Sequence, residues 1–136
     1  MINLKKKFGT SMIFITHDLG IVAEICDEVA VMYAGKIIER GTLEDVFNHA
    51  MHPYTEGLFN SIPNIEEVVS RLKPIPGLMP DPTRLPSGCA FAPRCPYANE
   101  DCINTVQKEK FVSPTHGILC SRYDEPGFHI ERKEID

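Results

Sequence analysis

The apolar and polar positions fall into short, distinct patterns. Ser11 to Thr16 (Ser-Met-Ile-Phe-Ile-Thr) is a largely apolar run with β-branched and aromatic members, as in a strand buried on both faces of a parallel sheet. Asp18 stands where a helix cap is needed, and Leu19, Val22, Ala23 and Cys26 then recur at helical spacing. Glu28 to Tyr33 predicts a second strand, Ala34-Gly35 a tight turn and Lys36 to Arg40 a third strand, so a hairpin is expected. Gly41-Thr42 ends it, and Thr42 caps a short helix whose apolar face is Leu43, Val46 and Phe47. His52-Pro53 opens a further helix with proline at its first position, where the missing N–H costs nothing, and Tyr54, Leu58 and Ile62 share one side of it. Residues 2–8 read as the tail of a helix preceding the first strand. The order strand, helix, strand, strand, helix, helix is an α/β fragment. It begins abruptly, since a parallel-sheet strand needs neighbours that the chain does not supply; truncation is the expectation.

Composition divides the chain near residue 74. Seven of the eleven prolines fall between Pro74 and Pro96, and four of the five cysteines follow residue 88. From Pro74 to Pro86 no regular helix or sheet ladder survives such a density of proline, which predicts an extended connector. Beyond it regular structure is weakly signalled, and the cysteines are expected to organise the fold. The net charge of -5, with no basic cluster beyond Lys5-Lys6-Lys7, argues against a nucleic-acid binder. No apolar run approaches the ~20 residues of a membrane helix, and Met12 to Ile15 is too short for a signal-peptide core. A cytoplasmic location is the expectation.

Two groups carry candidate chemistry. His17 stands where a buried strand would give way to a helix, and open α/β sheets bind ligands at the C-terminal ends of their strands. A histidine there can touch a phosphate and orient water; taken alone, Thr16-His17-Asp18 reads better as a histidine satisfied by local backbone groups. Cys89, Cys95, Cys102 and Cys120 form the pattern C-x5-C-x6-C-x17-C, with Pro93-Arg94-Cys95-Pro96 inside it. Disulfides would suit a secreted protein, and nothing signals secretion. Four thiolates also make a closed zinc site, although close C-x2-C or C-x4-C pairs are lacking. An iron–sulfur cluster is larger than one ion and takes ligands at wider spacings, with Cys-Pro a familiar ligand context. His116, four residues before Cys120, is a candidate for replacing a thiolate or for the surroundings of the site. Arg94 is a candidate for offsetting cluster charge. Cys26 is left out, as a cysteine on an apolar helix face. His49, His52 and Glu56 are not expected to form a metal site, because Pro53 starts a helix between the two histidines.

Phe14-Ile15-Thr16-His17-Asp18-Leu19, then Asp27 to Ala34 and Gly35 to Gly41, resembles the end of the nucleotide-binding domain of ABC transporters. The string His52-Pro53-Tyr54-Thr55 resembles the extension of ATPase subunits in oligopeptide and dipeptide importers. Gly88-Cys89 to Ala98, with Cys102, His116 and Cys120, is similar to the cysteine region of those subunits. The resemblance implies an α/β fold: the C-terminal piece of an ABC-type nucleotide-binding domain followed by a small irregular, metal-stapled cysteine domain. It divides the chain into 1–48 (end of the ATPase domain), 49–73 (helical extension), 74–87 (proline-rich connector), 88–122 (four-cysteine domain) and 123–136 (tail). It implies that His17 is the switch histidine at the γ-phosphate, and that Cys89, Cys95, Cys102 and Cys120 bind a [4Fe–4S] cluster, with zinc as the alternative. ATP and Mg²⁺ would belong to the full-length protein only. The implied partners are a second ATPase subunit, membrane permease subunits and an extracytoplasmic peptide-binding protein, at the cytoplasmic face of the membrane. The family's phosphate loop, glutamine loop, signature motif, metal-binding aspartate and catalytic glutamate are absent from this sequence. The chain by itself is therefore expected to hydrolyse no ATP. A free-standing iron–sulfur or zinc-binding interaction module is the alternative.

Overall fold

The hairpin expected from the sequence is the centre of the molecule. In the computed structural model, which describes residues 7–62 and 74–131, strand β1 (Glu28–Tyr33) pairs antiparallel with β2 (Lys36–Thr42). Ala34 and Gly35 both take positive φ, 47° and 79°, as a two-residue turn matching the strand twist requires. The pairing shifts between Val31 and Met32: Val31 faces Glu39 while Met32 faces Ile37. This bulge leaves Ile38 as an extra residue on β2, so Ile38 and Glu39 are both buried although they are neighbours.

Three helices frame the hairpin. Helix α1 (Leu19–Ile25) is capped as expected, the Asp18 carboxylate accepting from the Ile21 N–H at 3.1 Å. Thr42 caps α2 (Leu43–Asn48) in a reciprocal box with Asp45, and Val46 is buried beneath it. Helix α3 (Pro53–Asn60) starts on proline, with His52 as its cap. Its buried side is Pro53, Thr55 and Phe59 rather than the expected Tyr54–Leu58–Ile62 stripe; Ile62 is 47% exposed. The rotation follows from two aromatic contacts: Phe59 packs edge-on against Phe47 of α2 at 4.9 Å, and Tyr54 lies against Tyr33 at 4.6 Å.

Ser11 to Thr16, expected as a buried strand, is not one. The segment has no strand structure, and Ile13 and Ile15 are 94% and 100% exposed. A strand needs a partner for its backbone groups, and no described strand runs beside it. Of the helix tail expected over 2–8, Lys7 and Phe8 are helical and the rest lies outside the described residues. The extension expected over 49–73 is described only to Ile62.

The proline-rich stretch from Pro74 to Pro86 contains no helix or strand. After it come a 3-10 turn (Ala92–Arg94), α4 (Glu100–Asn104), β3 (Lys110–Phe111), β4 (Gly117–Ile118) and a second 3-10 turn (Ser121–Asp124). β4 pairs with β2, Ile118 facing Glu39 and Gly117 facing Arg40, and β3 adds outside it, giving the sheet order β1-β2-β4-β3. One core cluster, Tyr33, Ile38, Ala90 and Phe91, draws its members from both sides of the compositional step. The cysteine-bearing segment was expected to depend on a metal staple. Its described residues share the core and pair with the edge of the hairpin. Among the described residues no helix is long and apolar enough to cross a membrane.

Candidate metal centre

The four clustered cysteines reach one cavity by four different local routes. Cys89 follows Gly88 in a strand-like approach to α4: the Cys89 N–H donates to the Cys102 carbonyl at 2.7 Å and the Gly88 N–H to that of Ile103 at 3.2 Å. A Cβ at Gly88 would meet the Cys102 carbonyl oxygen at 2.3 Å, so only glycine admits this approach. Cys95 ends the first 3-10 turn, where its N–H donates to the Ala92 carbonyl at 3.2 Å. Cys102 lies in α4, whose cap Asn99 accepts from the Cys102 N–H at 2.9 Å. Cys120 follows β4 and precedes the second 3-10 turn, one residue after Leu119, whose N–H donates to the Ile38 carbonyl at 2.8 Å.

All four line this cavity together with His52, Phe91, Gln107 and Arg122. All are free thiols; none is paired in a disulfide. Backbone N–H groups point at three of the sulfurs: those of Phe91 and Ala92 at Cys89, that of Tyr97 at Cys95 and that of Arg122 at Cys120. Burial pushes the Cys95 thiol up to about 12 and the Cys120 thiol to about 11, against the N–H donors; repulsion from the other cysteines adds to the rise. Cys89 is raised for the same leading reason. Among the described residues no group of three or more His, Cys, Asp or Glu side chains stands close enough together to hold a metal ion. The four cysteines line one cavity without forming such a group.

The other candidate residues fall elsewhere. His17 is exposed at a bend beside the α1 cap, where the Asp18 N–H donates to the Thr16 hydroxyl at 3.0 Å. Cys26 caps the C-terminus of α1 and is not among the residues lining the cavity. His49 is exposed, 3.7 Å from Glu44, whereas His52 is buried and its Nδ1 accepts from the Tyr54 N–H at 3.1 Å. Burial drives the His52 pKa from 6.5 to about 3, so the ring is neutral. Arg94 does not serve the thiolates: its guanidinium donates to the Pro76 and Ile75 carbonyls at 2.8 and 2.9 Å and to the Tyr33 hydroxyl at 3.3 Å. It clamps the connector onto the hairpin.

His116 does not face the thiolates as a ligand, because its Nε2 is 2.7 Å from a carboxylate oxygen of Glu39. Both side chains are buried, and the Glu39 carboxylate also accepts from the Met51 and His52 N–H groups at 2.6 and 3.0 Å. This junction of β2, the start of α3 and the strand leading to Cys120 was missed in the sequence. An acidic residue in a strand reads as solvent-facing, and only the bulge turns Glu39 inward. The stretch set apart as a tail also packs through its described residues. Tyr123 donates to the Met51 carbonyl at 2.8 Å, and Phe128 meets Tyr97 and Tyr123 edge-on at 5.8 and 5.0 Å.

The described residues form a hairpin extended by a cysteine-lined lobe, and comparison with known proteins gives its family. Residues 38–102 match the family model described as "Oligopeptide/dipeptide transporter, C-terminal region". The chain is 44% identical over 127 residues to the oligopeptide transport ATP-binding protein AppD of Bacillus subtilis, covering 93% of this chain and 39% of AppD. It is 50% identical over 108 residues to the oligopeptide transport ATP-binding protein OppD of Salmonella typhimurium, covering 79% of this chain and 32% of OppD. The chain thus carries the C-terminal region of a peptide ABC transporter ATP-binding subunit, and the match spans less than half the length of these relatives.

Proposed function

We propose that this chain is the C-terminal part of the ATP-hydrolysing, energy-coupling subunit of a peptide-importing ABC transporter. The observation that carries the reading is the match of residues 38–102 to the transporter C-terminal region, reinforced by the likeness to AppD and OppD. In the whole subunit ATP and Mg²⁺ would be bound by segments outside this sequence. His17 would contact the γ-phosphate, and its exposure leaves the imidazole free to do so. The partners would be a second ATPase subunit, membrane permeases and an extracytoplasmic peptide-binding protein, with the subunit peripheral at the cytoplasmic face of the membrane. In an assembled transporter carrying this segment, His17→Ala should abolish ATP hydrolysis and leave ATP binding in place. Unimpaired hydrolysis would remove His17 from the mechanism. The 136-residue polypeptide alone should show no ATPase activity above blank.

Cys89, Cys95, Cys102 and Cys120 would hold a [4Fe–4S] cluster. What supports this is their convergence on one cavity as free thiols, with N–H groups aimed at three of the sulfurs. When bound, the cluster would supply a four-point crosslink between β4, α4 and the turns. Gly88 sets the approach of Cys89 to Cys102, Asn99 fixes Cys102, and the sheet bond of Leu119 fixes Cys120.

A further inference from the structure

The cysteine cavity contains one cation, and it is placed by contacts that the cysteines do not explain. Arg122 lines the cavity. Its guanidinium stands over the ring of Phe128 at 4.7 Å and pairs with the Glu125 carboxylate through Nη1. Its Nε is buried and has no hydrogen-bond partner. A buried guanidinium N–H left unmade is costly, by more than a neutral donor, and such an orphan marks a missing acceptor. A tetrathiolate metal group is a compact anion, and sulfur accepts hydrogen bonds; both needs are met at the same place.

We propose that Arg122 is the charge partner of the metal–sulfur group, its Nε–H donating to a sulfur of that group. Arg122 is a positioning and tuning residue. Glu125 and Phe128 orient its head, and the cluster completes its hydrogen bonds. This assigns to Arg122 the charge-offsetting part expected of Arg94, whose guanidinium is spent on the connector. A cation beside a cluster stabilises the reduced, more negative state, so it raises the reduction potential.

The inference rests on the reading that the four cysteines bind a metal group, and the test separates the two. The full chain is loaded anaerobically with ferrous iron and sulfide, and in parallel with zinc alone. The midpoint potential and the chelator concentration that strips half the metal are then measured for wild type, Arg122→Met and Arg122→Lys. The expected result is a midpoint shifted to more negative potential in Arg122→Met, with metal lost at roughly tenfold lower chelator, the weight of one charge-assisted hydrogen bond. Arg122→Lys should restore most of the potential, because it keeps the charge; a role in packing alone would give no such rescue. Wild type and Arg122→Met with the same potential and retention would overturn the role of Arg122 and leave the metal site standing. A wild type that retains neither iron nor zinc would overturn both.

Discussion

At the scale of single residues, the junction around Glu39 ties three elements together through one buried carboxylate. Its fully buried carboxylate accepts from two backbone N–H groups and lies 2.7 Å from His116 Nε2. Glu39→Ala strands three donors at once and should cost on the order of 3 kcal/mol or more, read from the urea midpoint of the full chain. His52 sets a pH dependence. Its folded pKa of about 3 lies below the ordinary 6.5, so the unfolded chain binds the extra proton between these values. Stability from this group is complete above pH 6.5 and is lost as the pH falls through that window. His52→Asn keeps a capping oxygen and removes the titration, so it should flatten the acid limb of stability against pH. An acid limb equally steep in the variant would show that other groups cause it.

At the scale of elements, the sequence was most legible where local chemistry decides structure. The Ala34-Gly35 turn, the caps Asp18 and Thr42 and the proline start of α3 are short-range devices, and all stand where the pattern put them. It was least legible where a partner decides. Ser11 to Thr16 has the composition of a buried strand and remains exposed, since hydrogen bonding to a neighbour is not encoded in the run itself. Glu39 was unreadable for a similar reason: one residue of slip in the ladder moves a side chain from solvent to core. The four cysteines were readable as a set, but the routes that bring them together were not, because β4 is only two residues long and Gly88 acts by a contact 14 positions away in sequence. Arg94, too, has a role visible only in three dimensions. Arg94→Ala should free the connector, and faster tryptic cleavage at Arg84 would report it; an unchanged rate would mean that the proline-rich stretch is held by other contacts.

At the scale of the whole molecule, a sheet and a core shared across the compositional step join the hairpin to the cysteine lobe. Coupling of this kind predicts a graded response to metal loss. Exchange protection at the Leu119 amide, bonded to Ile38 in the sheet, should survive in the metal-free chain, while the turn amides of Cys95 and Ala98 should lose theirs. The exposed run around Ile13 and Ile15 is a liability of the isolated chain and should drive self-association that rises with concentration.

The cysteine site is the centre of the functional reading, and metal and sulfide analysis of anaerobically purified protein, with its absorption spectrum, tests it most directly. About four irons and four sulfides per chain with a broad brown absorbance are predicted, and conversion of any one of Cys89, Cys95, Cys102 or Cys120 to serine should bleach it. A colourless protein carrying a single zinc, or four thiols that react freely with no metal bound, would contradict the assignment.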